Sequence, residues 1–204
     1  MSRMFRLAVV VGLAAAAALS SATTFALAAT AAEADEAAAT DFVMTRFLHD
    51  DIIDGFSDTW GAGRSGGRRH QGTDVIAPKG TPVHAVADGF VEAMEDGRRS
   101  GFYVRLRHAD DWVTWYIHLN NDTPGTDDGA GGPAAAFAPG LEVGDFVQAG
   151  DVIGYTGDSG NAESRVAHTH FELQHNDRYR NPYPYLRAAW DRQLREQQLI
   201  DEAQ

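Results

Sequence analysis

An all-β domain with a helix at its C-terminal end is the fold class this sequence predicts. From Thr73 to about Leu173, short apolar stretches alternate with turns rich in Gly and Asp, the texture of closely spaced strands. After Asn181-Pro182-Tyr183-Pro184 the period changes. Leu186, Trp190 and Leu194 recur every fourth residue, with Arg and Glu among the polar residues around them, which predicts a helix packed on the sheet. A length of 204 residues suits a single domain.

The strand candidates follow in order: "TDVIAP", "TPVHAVADG", "GFVEAMEDG", "GFYVRLRH", "WVTWYIHL", "GDFVQAGDVIGYTGDSG" and "VAHTHFELQ". The stretch "NNDTPGTDDGAGGPAAAFAPG" breaks the series. Its Gly, Pro and Asp content reads as an inserted, mobile surface loop over residues 121–140. The last residues, 187–204, are expected to be helical. Before the strands, residues 29 to about 40 read as a tether or a frayed helix and "DFVMTRFLHDDIIDGF" as a helix or an extended lead-in, so that 29–55 form an N-terminal tether and lead-in.

Residues 1–28 have the order of an export signal. Arg3 and Arg6 precede an uncharged run from Leu7 to Leu19, and small residues follow around Ala26-Leu27-Ala28. That run is shorter than the roughly 18 residues of a membrane span. The expectation is an exported chain, periplasmic or extracellular, with no transmembrane span once the signal is removed.

Composition excludes several chemistries. There is no cysteine, so disulfides, thiolate metal sites and a Cys nucleophile are ruled out. A formal charge of -12 argues against nucleic acid as a partner, because phosphate binding needs a basic face. The segment "GAGRSG" matches G-x-G-x-x-G but has neither a leading strand nor a following helix. It reads as a Gly-rich loop rather than a dinucleotide site.

The eight histidines carry the functional signal. His49, His84, His108 and His175 have no partner at metal-ligand spacing and read as surface or hydrogen-bonded residues. The other four differ. His70 and Asp74 in "RRHQGTD" share a face of an extended chain. His118 ends the strand "WYIHLN". His168 and His170 in "HTH" point to the same side of a strand. His70, Asp74 and one of His168/His170 satisfy the count of a catalytic zinc site, three ligands with a fourth position left to water. The remaining two histidines are then free to handle protons. No HExxH is present, so the Glu base of common zinc proteases is missing. Glu172 shares strand parity with His168 and His170. It reads either as a partner to a ligand imidazole or as a solvated strand position.

Taken together, "RRHQGTDVIAPKGTPVHAVADGFV", "WYIHLN", "GDFVQAGDVIGYTGDSG" and "AHTHFEL" resemble the lysostaphin/LytM-type M23 zinc metallopeptidases. The resemblance covers roughly Phe56 to Leu186, which sets the expected peptidase domain at 56–186. It implies a mostly antiparallel β fold with an active-site groove, one Zn²⁺, and hydrolysis of peptide bonds in peptidoglycan cross-bridges or stems; the oligomeric state is left open, with a monomer expected. By position it makes His70, Asp74 and His170 the zinc ligands, and His118 and His168 the catalytic histidines that do not bind metal. Some members place a tyrosine shortly before the first ligand; here that loop lacks one, and Arg64 is the candidate in its place. The loop at 121–140 is expected to reshape a wall of the groove. The rival implied by the same resemblance is a non-catalytic regulator that activates cell-wall amidases.

Overall fold

The structure is a computed structural model, and the residues it describes are 42–50 and 55–203. The expected signal peptide and most of the tether lie outside the described residues. No helix among the described residues is long and apolar enough to cross a membrane. Residues from Val43 onward form one compact unit.

The architecture is mostly antiparallel β with a C-terminal helix. Its strands are β1 (Thr73–Ile76), β2 (Pro82–His84), β3 (Gly89–Gly97), β4 (Gly101–Arg107), β5 (Trp112–Leu119), β6 (Phe146–Val147), β7 (Val152–Tyr155), β8 (His168–His175) and β9 (Arg178–Arg180). Seven form one sheet in the order β1-β8-β5-β4-β3-β6, with β9 also paired to β8; β2 and β7 make a second, two-stranded sheet. Every pairing is antiparallel. Each predicted apolar stretch contributes at least one strand. Only the short β9 has no counterpart in the prediction, because "RYR" is too polar to stand out.

Register gives the main sheet two chemically distinct faces. Thr169, Phe171 and Leu173 of β8 are fully buried, as are Thr114 and Tyr116 of β5 and Val104 and Leu106 of β4. The pairs Tyr116↔Phe171 and Val104↔Tyr116 carry this core face from strand to strand. Tyr116 is fixed at both ends of its side chain. Its ring meets Phe171 edge-on at 5.3 Å, and its hydroxyl accepts from the Val86 amide at 3.0 Å. Alternation puts His168, His170 and Glu172 on the opposite face of β8.

The lead-in is extended rather than helical at residues 42–50. Met44, Phe47 and Leu48 are buried, and Arg46 N donates to Val86 O while His84 N donates to Leu48 O. This part of the lead-in therefore belongs to the core. Phe47 stacks on Phe56 at 5.1 Å and meets Trp190 at 5.0 Å.

Helix α2 (Tyr183–Glu202) starts four residues before the expected 187. Pro182 and Pro184 do not stop it, because proline is tolerated in a first helical turn, where no intrahelical donor is needed. Asn181 Oδ1 accepts from Tyr183 N at 3.0 Å and supplies the missing cap. Leu186 is fully buried and Ala189 nearly so, but Leu194 is exposed, so packing covers only the first half of the predicted stripe.

The loop at 121–140 is better anchored than its composition implies. It contains a short helix, α1 (Gly132–Ala136), whose Ala136 is fully buried. Asp122 is buried and pairs with Lys79 Nζ at 2.7 Å. Lys79 also reaches Asp158 at 2.8 Å and Asp127. One ammonium thereby ties the β1–β2 turn, the loop and the segment after β7.

Candidate active site

The second face of the main sheet forms the floor of a cavity of about 910 Å³. His70, Asp74, His118, His168, His170 and Glu172 all line it. Sequence separations of up to 100 residues collapse here because β1 and β5 flank β8. Asp74 stands directly opposite His170, Ile76 opposite His168, and Ile117 opposite His170. Residues opposite each other in a ladder project to the same side, so register alone brings Asp74 to the HxH pair.

His70 arrives from a hairpin-like loop, residues 61–70, held by Gly61 N to His70 O, His70 N to Ala62 O and Arg64 N to Arg68 O. Gly61, Gly66 and Gly67 adopt φ of 71°, 73° and 74°, a region costly for other residues. The "GAGRSG" segment is thus the tight tip of a groove wall.

Three nitrogen and oxygen atoms converge. His70 Nε2 lies 3.0 Å from His170 Nδ1 and 3.1 Å from Asp74 Oδ1, and His170 Nδ1 lies 2.7 Å from Asp74 Oδ1. Tetrahedral coordination with bonds of about 2.0–2.2 Å spaces its ligands at ~3.3 Å. The cluster therefore fits a small divalent cation with modest expansion, and these three residues can hold one.

The remaining polar atoms of the three side chains have other partners. His70 Nδ1 donates to Thr59 O at 3.1 Å, with the Thr59 hydroxyl at 2.9 Å. His170 Nε2 donates to Glu172 Oε1 at 3.1 Å. Asp74 Oδ2 accepts from Arg64 at 2.7 Å. Those bonds fix both imidazole tautomers and leave one lone pair of each ligand for a metal. Arg64, the candidate stand-in for the missing tyrosine, is therefore engaged by Asp74.

The electrostatics favour positive charge among these atoms. Burial would raise the Asp74 carboxyl, yet hydrogen bonds from His170 and His70 hold it far below the ordinary carboxylate range. Burial would lower His170, but its bonds to Asp74 and Glu172 prevail and push it up to about 9.

His118 reaches the groove by a bulge. Pairing steps from Tyr103↔Ile117 to Phe102↔Leu119, so His118 has no residue opposite it, and its φ is 66°. Strict alternation would send its side chain to the core face with Tyr116; the bulge turns it beside Ile117 on the cavity instead. Its Nδ1 donates to Ser159 O at 2.9 Å, leaving Nε2 as the available atom. Burial and then the nearby His168 and His170 push His118 down to about 4. His168 Nδ1 donates to Val166 O at 2.9 Å, and its Nε2 lies 3.9 Å from Asp74 Oδ1. The His118 and His168 rings are 5.2 Å apart. Gly157 spans them: its N donates to His118 O and its O accepts from His168 N.

Thr59, Gly72 and Ser159 support the site without any motif to announce them. Gly72 is required by space, since a Cβ there would lie 2.7 Å from His170 Cε1 and 2.4 Å from Phe171 O. His49, His84 and His108 are buried and bonded to the carbonyls of Pro82, Gly150 and Asp88. His175 stacks on Trp112 at 4.2 Å. The loop at 121–140 contributes no residue to the cavity lining, contrary to its expected role as a groove wall. The nearest link is Asn121 Nδ2 to Glu163 at 3.3 Å.

A β groove with a partly buried His-Asp-His cluster that could hold a metal ion, and two more histidines beside it, is the arrangement of a candidate metallopeptidase site. Residues 68–128 match the model for peptidase family M23, and the chain carries an M23 peptidase domain. It is similar to an L-Ala--D-Glu endopeptidase of Bacillus subtilis, 34% identical over 148 residues that cover 67% of this chain and 40% of that protein. The catalytic domain of the antimicrobial peptidase lysostaphin from Staphylococcus simulans superposes with a TM-score of 0.52 at 26% identity, covering 65% of this chain and 91% of that one. A zinc-containing peptidase from Vibrio cholerae superposes with a TM-score of 0.50 at 25% identity, covering 68% of this chain and 39% of that one. The chain spans less than half the length of the curated relatives it matches.

Proposed function

We propose that this chain is an exported zinc endopeptidase that hydrolyses peptide bonds of peptidoglycan. The observation that carries this reading is the mutual 2.7–3.1 Å spacing of His70 Nε2, Asp74 Oδ1 and His170 Nδ1. The names of the relatives supply the substrate class. Two neutral imidazoles and one carboxylate suit Zn²⁺.

Zinc, when bound by these three side chains, supplies Lewis-acid activation of a water and of the scissile carbonyl. The protein's own groups do the rest. His118 is kept neutral by burial and has Nε2 free of its Ser159 bond, so it can accept a proton from the attacking water. His168, with Nδ1 committed to Val166 O, presents Nε2 to the same space. There it can hold a proton for the leaving amine or donate a hydrogen bond to the developing oxyanion. Glu172 and Thr59 hold the ligand rings in orientation. A complete donor set and two further groove histidines favour the enzyme over a non-catalytic regulator.

Metal analysis of the purified protein tests the reading. One zinc per chain is expected, with strong loss in His170→Ala. Full stoichiometric zinc in that variant would refute the ligand set.

A further inference from the structure

We propose that the groove selects acidic peptides, those bearing two or more free carboxylates near the bond to be cut. This rests on the endopeptidase reading and names its substrate class. The chain's formal charge is -12, yet its catalytic cavity is rimmed by Arg64, Arg68, Arg69, Arg99 and Arg165, with Asp74 and Glu172 its only carboxylates.

Those two carboxylates are occupied within the site. Asp74 faces His70, His170 and Arg64, and Glu172 faces His170. Among the described residues, no carboxylate lies within ion-pair distance of Arg68, Arg69, Arg99 or Arg165. Arg68 donates to Ser65 O and Oγ, and Arg69 to Gly61 O, all neutral acceptors. Away from the groove, Arg46, Arg105, Arg107 and Arg187 pair with Asp50, Glu92, Asp111 and Asp191. The backbone that carries these guanidiniums is anchored. Arg68 and Arg69 sit on the hairpin wall, and Asn161 N donates to Arg99 O, joining the turn that carries Arg99 to the segment that carries Arg165.

A concave, cationic site on an anionic protein focuses its field into the cavity, while the remaining surface repels anions. A guanidinium fork matches a carboxylate geometrically. An oligoglycine with blocked termini offers these forks only neutral carbonyls and draws no benefit from the field. Each pair is solvent-exposed and contributes little alone. Two or more acting together should give about a tenfold preference, and one that salt weakens.

The test measures equilibrium binding of three synthetic peptides of equal length to the purified protein carrying His168→Ala, which slows turnover. One is a stem-type peptide with free carboxylates, one has them converted to carboxamides, and one is oligoglycine with both termini blocked. The free acid should bind about tenfold tighter than either neutral peptide, and the margin should shrink as salt rises from 0.05 to about 0.5 M. The double variants Arg99→Ala/Arg165→Ala and Arg68→Ala/Arg69→Ala, checked for folding by circular dichroism, should each narrow it. Equal binding of acid and amide, or a margin indifferent to both double variants, would overturn the proposal. Because binding is read without turnover, an acid preference in this variant combined with a wild-type protein that cuts no peptide would sink the endopeptidase reading alone.

Discussion

Glu172→Ala probes how far the groove relies on groups that never touch the metal. Glu172 Oε1 lies 3.1 Å from His170 Nε2, and its side chain is only 14% exposed. The bond is charge-assisted and largely shielded, a type worth about 1.5–3 kcal/mol. Removing it frees the His170 ring to rotate and lowers the basicity of Nδ1, so zinc affinity should fall about 10–100-fold. A second effect opposes the first. Without metal, Asp74 and Glu172 push His170 up to about 9, so zinc must displace a proton below that pH. Losing Glu172 lowers this competing affinity as well. The deficit should therefore be largest near pH 9 and smaller near pH 6. Competition against a chromogenic chelator at both pH values measures it. Wild-type affinity in Glu172→Ala at pH 9 would show that the hydrogen bond does not organise the ligand.

Two other perturbations test different parts of the account. Gly72→Ala places a methyl against His170 and the Phe171 carbonyl, a displacement larger than the roughly 0.2 Å tolerated by a metal–ligand bond. It should lower zinc affinity by at least about tenfold while circular dichroism stays near wild type; unchanged zinc binding would refute the steric reading. His49 is fully buried, and burial first, then the charge of His84, pushes it down to about 4 against a backbone bond to Pro82. The unfolded chain, titrating near 6.5, binds the proton more readily, so stability is present above about pH 6.5 and is lost as pH falls toward 4. The loss assigned to this residue is about 3 kcal/mol. Urea unfolding at pH 7 and pH 4.5 should show a smaller acid penalty in His49→Leu; equal penalties would exclude His49 as a cause.

Much of the site was legible because strands alternate. The HxH spacing alone puts His168 and His170 on one side, and HxxxD does the same for His70 and Asp74 in an extended chain. What joins the two pairs is the β1–β8 register, which no local pattern encodes. His118 stood out only as the end of a strand, and its role came through family resemblance, since simple alternation sends it into the core and a bulge at a positive φ brings it back. Ser159 acts on His118 through its carbonyl oxygen, which every residue has, and Thr59 acts on His70 through its carbonyl and hydroxyl from a loop with no motif, so neither is marked in the sequence. The loop at 121–140 shows the opposite failure. Its composition is that of a mobile turn, but Asp122 is buried because a lysine over 40 residues away pairs with it.

Hydrolysis of muropeptides of defined cross-link by the purified chain tests the central claim most directly, with metal present, removed by chelator and restored. The account predicts cleavage that is lost with chelator and recovered with zinc, and that falls about 10²–10⁴-fold in His118→Ala and His168→Ala although both keep their zinc. Cleavage that persists without metal, or near-wild-type turnover in both histidine variants, would contradict it.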